Sequence, residues 1–341
     1  MKAILVAWAI VVGAGLAGGT ARADDRLRIV TFNVQCLAAP GTRASRIQRF
    51  RWNTARRGHL ERVASVIETL DPDVINLVEV TSVEAVETLV QILHEKGLDE
   101  YRGYHVESFD SFTGFDVALI TKFEPDVIDG ASIRCVFSPK EEREWREDFS
   151  FRDADGDLRQ LSASIRRNSL YFITVHGYKL GFLGLHLKSN PSDAYSNGLR
   201  TAESIVAQRI IRREIVGRGY LPIVLGDLND YDPDIPDRDP NRETVTGVMA
   251  NLKDYDPSFP GPELVNVTER ILRQADRYSC HWDRNENGVT DSDDVLTMID
   301  HVLIAKELMP SVRRAFVSRC TDLKTSDHWP VVVDLDLPSL P

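Results

Sequence analysis

Apolar residues in this chain switch repeatedly between strand rhythm and helix rhythm. The run LRIVTFN at 27–33 has the length of a strand, and Leu60, Val63, Ile67 and Leu70 then recur at intervals of three and four, one face of a helix. The breaker Asp71-Pro72-Asp73 stops that helix, and the apolar stretch 74–80 reads as the next strand. Val86, Leu89, Val90 and Leu93 mark a second amphipathic helix. Further strands are predicted at 115–121, 170–175 and 180–187, the last two joined by His176-Gly177-Tyr178 as a hairpin. A helix over 199–216 follows, then strands at 221–226, 299–304 and 329–335. Hairpins mixed with strand-helix units do not suit a purely parallel sheet. They suit an α/β arrangement in which two mixed sheets pack face to face with helices outside.

Composition narrows the setting. A chain of 341 residues with 43% hydrophobic content buries a sizeable core. With no linker, repeat or second transmembrane segment in the pattern, one domain is expected over 24–341. Residues 1–23 stand apart: Lys2, an apolar run, then Ala21-Arg22-Ala23, which reads as a secretory signal peptide cleaved before Asp24. The protein is therefore expected to be secreted or periplasmic. Four cysteines, Cys36, Cys135, Cys280 and Cys320, follow the leader, and an exported chain can keep disulfides. Three pairings are possible; Cys280 with Cys320 is favoured, because the two flank the segment that carries Asp300. The formal charge of −11 becomes −13 once Lys2 and Arg22 leave with the signal. So acidic a protein repels anions at long range, and an anionic substrate needs a local basic patch or metal ions.

Polar residues recur at the C-terminal ends of the predicted strands, where sheet enzymes collect their ligands. They fall in Thr31-Phe32-Asn33, Asn76-Leu77-Val78-Glu79-Val80, Gly184-Leu185-His186-Leu187-Lys188-Ser189, Gly226-Asp227-Leu228-Asn229, Ile299-Asp300-His301 and Ser326-Asp327-His328-Trp329-Pro330. In order and wording these segments resemble the endonuclease/exonuclease/phosphatase family over nearly the whole mature chain. G-D-x-N after an apolar strand and S-D-H before a final strand are the most specific parts. The resemblance implies a four-layer α/β sandwich, the deoxyribonuclease-I-like fold, and a metal-dependent phosphoesterase.

Chemistry asks for the same residues. Water attacks a phosphodiester anion only if a cation neutralises the phosphoryl oxygens and a base takes the proton. Glu79 and Asp327, with Asn33 beside them, are the expected ligands of Mg²⁺ or Mn²⁺, hard ions that prefer oxygen donors. His328 is the expected general base, its imidazole titrating near neutrality. By resemblance, Asp300 supports that histidine, Asp227 and Asn229 orient the nucleophile and bind phosphate or metal, and Asp227 is also a proton donor. Asp227 and Asn229, two apart on an extended chain, are expected to point the same way. His186 is expected to donate to the developing charge, with Asp116 or Glu107 as its support. His59, His105, His176, His281 and His301 are read as structural or surface residues.

A second motif lies at 283–294. Asp283, Asn285, Asn287, the carbonyl of Val289, Asp291 and Asp294 fall at positions 1, 3, 5, 7, 9 and 12 of a calcium loop, with Gly288 at position 6. Aspartate at position 12 is closer to dockerin-type loops than to an EF-hand. Ca²⁺ bound there would pin the chain that presents Asp300.

Substrate class rests on a basic stretch. From Arg43 to Arg62 inclusive there are seven arginines and one acid, with Phe50 and Trp52 among them. Arg49, Arg51, Arg56 and Arg57 could grip phosphates while Trp52 stacks on a base, which favours nucleic acid as substrate. The alternatives are a phosphatase or sphingomyelinase-like enzyme acting on inositol phosphate or phospholipid, and a binding protein that kept the fold but lost activity. No stable protein partner is expected.

Overall fold

The computed structural model describes residues 25–42, 50–239 and 246–339. The leader at 1–23 and Arg49 lie outside them. Two six-stranded sheets face each other. The first begins with β1 (Arg26–Leu37), then α1 (Asn53–Leu70), β2 (Val74–Val80), α2 (Val83–Glu95), β3 (Arg102–Val106) and β4 (Asp116–Thr121). A short strand β5 (Ile133–Arg134) and the hairpin β6 (Glu147–Arg152) and β7 (Leu158–Ala163) lead to β8 (Asn168–Val175) and β9 (Tyr178–His186). Then come α3 (Ala194–Ile210), β10 (Leu221–Asp227), α4 (Val248–Lys253) and β11 (Leu264–Asn266). The chain closes with β12 (Cys280–Trp282), β13 (Val295–Thr297), β14 (Asp300–Ala305), β15 (Val312–Val317) and β16 (Val331–Asp336).

Strand order is β15-β16-β1-β2-β4-β3 in one sheet and β11-β14-β10-β9-β8-β5 in the other. Within each the central pair is parallel, β1 with β2 and β9 with β10, and the flanking pairs are antiparallel. Each parallel pair is a crossover, through α1 in the first sheet and α3 in the second, and each antiparallel flank needs only a hairpin or return. The expected two mixed sheets with helices outside are what the chain forms.

Alternation on β1 explains the layers. Leu27 and Ile29 enter the core shared with the second sheet, whereas Val30 and Phe32 join the separate core beneath α1 and α2. Leu60, Val63, Ile67 and Leu70 of α1 and Val86, Leu89 and Leu93 of α2 fill that outer core. The helix stops as its sequence dictates: Asp71 takes a left-handed φ of 48° and its N–H closes on Ile67. The β8–β9 hairpin turns on His176 (φ 52°) and Gly177 (φ 88°), the two positive angles of a tight hairpin turn. Several short elements carry no strong period and were not predicted, among them β3, the β6–β7 hairpin, β11, the β12–β13 hairpin and β15.

Two glycines are required by close approach. At Gly184 an added Cβ would lie 2.1 Å from Asn76 Oδ1, so the second sheet comes up against the polar centre of the first. Gly226, the residue before Asp227, has φ 139°, and a Cβ there would lie 1.9 Å from the Leu185 carbonyl oxygen. Only glycine fits that backbone. Gly226→Ala is expected to cost about 3 kcal/mol or more, through left-handed strain plus a backbone clash. Denaturant unfolding of the purified variant checks this, and a loss below about 1 kcal/mol would contradict it.

Candidate active site

Three strands of the second sheet end in one row of titratable groups. His186 closes β9, Asp227 closes β10 and Asp300 opens β14, and the register pairs Asp227 with both of the others. Residues opposite one another share a face, so all three side chains leave the sheet on the same side. That side is the inner one, because Asp227 Oδ2 accepts from the Asn33 amide of the first sheet at 3.1 Å.

The first sheet reaches this row through a bulge. On β2, Val74 belongs to the inner core and Ile75, Leu77 and Val80 to the outer one. Strict alternation would send Glu79 outward with Ile75 and Leu77. Instead Glu79 has φ 65° and the pairing with β4 slips between Val78 and Val80, so Glu79 is the extra residue of the bulge. Its carboxylate accepts from Asn33 Nδ2 and from the Cys36 backbone N–H, each at 3.2 Å. Gln35 and Cys36 are left-handed too, in the matching irregularity of β1.

The segment Ser326-Asp327-His328 is tied to the same strand. Ser326 Oγ donates to the Asn33 carbonyl at 2.7 Å and accepts from the His328 N–H at 3.0 Å. The Asp327 N–H donates to Gln35 Oε1 at 3.3 Å. His328 Nδ1 lies 2.7 Å from Asp300 Oδ2, a bond that puts the ring proton on Nδ1 because a carboxylate only accepts. Its Nε2 then faces Asp227 Oδ2 at 3.9 Å, and His186 Nε2 lies 3.7 Å from the same oxygen.

Electrostatics follow from this crowding. Burial pushes the Glu79 carboxyl up, and the charge of Asp327 pushes it further. Asp227 rises to about 7, by burial and then by the charge of Asp300. Burial lowers His186 well below the usual value, helped by Arg167, His328 and Lys188. At His328 burial opposes the charge, but Asp300 and the Cys280 thiol outweigh it and hold the imidazole well above its ordinary value. Asp227, Asp300 and His328 offer ligand atoms all within 4.8 Å of one another, yet the His328–Asp300 bond makes two of them a histidine–carboxylate pair. Glu79 and Asp327 are the acids left beside it. The Asp327 charge acts on Glu79, so the two carboxylates are near neighbours. Carboxylate oxygens are the donors a hard divalent cation takes, so these residues fit Mg²⁺ or Mn²⁺.

Several expectations need correction. Asn229 is not on an extended strand: it has φ 51°, its N–H bonds Asp227 Oδ1 at 3.1 Å in a side-chain turn, and its amide donates to the Leu187 carbonyl at 3.1 Å. Asp116 does not support His186, because its carboxylate holds His105 and the Ser108 N–H, both at 2.8 Å. Glu107 is exposed, and His186 Nδ1 is buried without a hydrogen-bond partner. None of the four cysteines forms a disulfide: Cys320 is exposed, whereas the Cys280 thiol faces His328. Arg56 is buried on the carbonyls of Phe50, Ala39 and Thr42, and Arg57 pairs with Glu61 and Glu95 on the helix surface, so neither is available to grip phosphate. Of that basic group Arg51, beside the 74% exposed Trp52, remains at the surface. His59, His105, His176, His281 and His301 all hold internal partners.

One cation was missed. Arg167 precedes β8, its carbonyl accepts the His186 N–H at 3.1 Å, and its guanidinium reaches the Leu187 carbonyl at 3.1 Å. Its charge is felt at Glu79, His186, Lys188 and Glu203. Only strand register brings it there, and no motif marks it. The adjacent loop carries Phe109 and Phe112, 50% and 65% exposed, while Phe115 stacks on His186 at 6.4 Å between ring centres.

The family model described as the endonuclease/exonuclease/phosphatase family matches residues 30–328. This chain belongs to that family. No curated protein matches it. Among solved structures, an AP endonuclease from Archaeoglobus fulgidus is 17% identical, with a TM-score of 0.57 over 91% of this chain and 100% of that one. A family member from Leptotrichia buccalis is 15% identical, TM-score 0.55, over 91% and 100%. D. rerio TDP2 complexed with a single-strand DNA product is 19% identical, TM-score 0.52, over 91% and 99%. At these identities the likeness is one of fold, the deoxyribonuclease-I-like fold of the family, whose hydrolases act on phosphodiester bonds and are typically divalent-metal dependent.

Behind the Arg167 rim, Glu203 of α3 accepts the Lys188 N–H at 3.0 Å and is 5% exposed. Burial raises its carboxyl from 4.5 to about 7 against the pull of Arg167 and Lys188. A raised carboxyl favours the protonated fold, so its contribution is full below pH 4.5 and is lost as pH rises through about 7. Glu203→Gln, which still accepts the Lys188 N–H, is therefore expected to stabilise the protein by about 2–3 kcal/mol at pH 8 and hardly at all at pH 4.5. Thermal unfolding at the two pH values decides it, and an equal effect at both would refute the burial argument.

Proposed function

We propose that this protein is an exported, divalent-metal-dependent phosphodiesterase that hydrolyses nucleic acid. The observation that carries the reading is the convergence of Asn33, His186 and His328 on Asp227 Oδ2, with Asp300 behind His328 and Glu79 and Asp327 alongside. A cation held by Glu79 and Asp327, with Asn33 beside them, would neutralise the phosphoryl oxygens and draw His328 back toward neutrality. His328 Nε2 takes a proton from the attacking water while Asp300 stabilises the imidazolium. As the new P–O bond forms and the ester bond breaks, protonated Asp227 gives its proton to the leaving oxygen. His186, kept neutral by burial, donates from Nε2 to a non-bridging oxygen, and Asn229 holds Asp227 in its turn.

Nucleic acid is favoured by Arg167 at the rim and by Phe109 and Phe112 beside it, a cation and two exposed rings in place of the buried Arg56 and the paired Arg57. The D. rerio relative is seen with single-strand DNA, in keeping with this choice. Export rests on the leader at 1–23.

The test presents supercoiled plasmid, RNA, sphingomyelin and inositol phosphates in parallel, with Mg²⁺ or with EDTA. Plasmid or RNA is expected to be cut only with metal, and hydrolysis of a lipid or inositol phosphate alone would move the substrate to that class. His328→Ala should lower kcat by roughly 10²–10⁴-fold while the variant still unfolds cooperatively on heating. Arg167→Ala should act mainly on KM, since a rim cation binds substrate in ground and transition states alike. If Arg167→Ala instead abolished kcat at an unchanged KM, its assignment to the rim would be wrong.

A further inference from the structure

The calcium-loop motif is folded, and it is attached to the catalytic segment. Residues 283–294 connect β12 to β13, whose pairing ends at Trp282 and Val295, so the loop closes a two-stranded stem rather than a helix pair. Asp283 accepts the N–H groups of Asn287 at 3.2 Å and Gly288 at 2.7 Å, and the amides of Asn285 and Asn287 both reach Asp291 Oδ2, at 2.9 and 2.7 Å. These contacts alone describe an acidic turn. The observation that separates it from one is Asp294 at position 12.

The Asp294 side chain is fully enclosed. Its Oδ2 accepts from the loop N–H of Asp291 at 2.8 Å, which turns the carboxylate into the loop, and from His281 Nε2 at 2.6 Å. Its Oδ1 is buried with no hydrogen-bond partner. A carboxylate oxygen shut away from water without a donor is a costly feature that a cation removes. Asp283, Asn285, Asn287, Asp291, Asp294 and the Val289 carbonyl supply the six oxygens Ca²⁺ takes, once the two amides turn their oxygens inward.

The stem carries the consequence. The His281 N–H donates to the Asp327 carbonyl at 2.8 Å, Cys280 pairs with His328, and the Trp329 N–H donates to the Ser279 carbonyl at 2.7 Å. Ser279 Oγ in turn accepts the N–H groups of Ile299 and Asp300, at 3.2 and 3.0 Å. β12, which enters the loop, and Ser279 just before it therefore hold the backbone of Asp327, His328 and Asp300. We propose that the 283–294 loop binds one Ca²⁺ and that the ion, by clamping Asp283 to Asp294, fixes the β12–β13 stem and with it the catalytic His328–Asp300 pair. Ca²⁺ binding and the stiffening of Asp327 and His328 stand without the phosphodiesterase reading; only an effect on turnover rests on it.

The experiment is calorimetric titration of the metal-free full chain with Ca²⁺ and with Mg²⁺, followed by hydrogen exchange with and without Ca²⁺. Ca²⁺ is expected to bind one equivalent at the loop, to raise Tm by several degrees, and to slow exchange at 279–282 and 326–329 by tenfold or more. Asp283→Ala should abolish these effects, while Glu79→Gln should leave them intact. Should Asp283→Ala fail to fold, Tb³⁺ luminescence sensitised by the 61% exposed Trp282 replaces it, and Trp282→Phe should extinguish that signal. Four outcomes overturn the proposal: no Ca²⁺ binding at millimolar concentration, Mg²⁺ binding as tight as Ca²⁺ at the loop, Ca²⁺ binding lost in Glu79→Gln but kept in Asp283→Ala, or loop binding with unchanged exchange at 326–329.

Discussion

The amide of Asn33 stands between two carboxylates that belong to different sheets, Glu79 at 3.2 Å and Asp227 at 3.1 Å. Most of what the site is follows from that bridge. Two acids can face each other across a buried cleft only if a donor lies between them, and one NH₂ group reaching both fixes how far apart the sheet ends stand. The Asn33 carbonyl then takes Ser326 Oγ, which brings Asp327 and His328 to the same place. Backbone and side chain of one residue thus gather groups from β1, β2, β10 and the loop before β16.

Conformations that alternation does not supply complete the arrangement. β2 would carry Glu79 to the helix side, and a left-handed residue with a slipped register turns it back. Asn229 does the same beyond β10, and Gly226 lets Asp227 approach Leu185 where any Cβ would collide. Such positions cost of order 1–3 kcal/mol each and persist because the surrounding sheet over-determines them.

The same economy links the outlying hairpin to the centre. The β12–β13 stem pairs with the segment Asp327-His328-Trp329 through backbone groups that would otherwise be buried and unsatisfied. A segment read from sequence as an ion loop in front of Asp300 is therefore also the brace of His328. The cysteines show the opposite case. An export signal and the position of Cys280 and Cys320 either side of Asp300 invited a disulfide, but the thiol of Cys280 is turned to His328 and that of Cys36 to Glu79, at 3.7 Å.

The sequence determined the repeating elements and the list of chemically able residues. Apolar period marked β1, α1, β2, α2, β8, β9, β10, β14 and β16, because a chain of this kind must bury one face of each, and turn residues marked the His176-Gly177 hairpin. It also named Asn33, Glu79, His186, Asp227, Asp300, Asp327 and His328, which stand next to apolar runs and have no place inside a core. Only the tertiary structure decided which of them meet and which charges are free. Arg56 and Arg57 were as basic on paper as Arg167, yet those two meet partners around α1, while register lays Arg167 against His186, with its guanidinium on the Leu187 carbonyl and 3.9 Å from Asp110. Register, bulges and left-handed turns are set by contacts between residues far apart in the chain, and no local period encodes them.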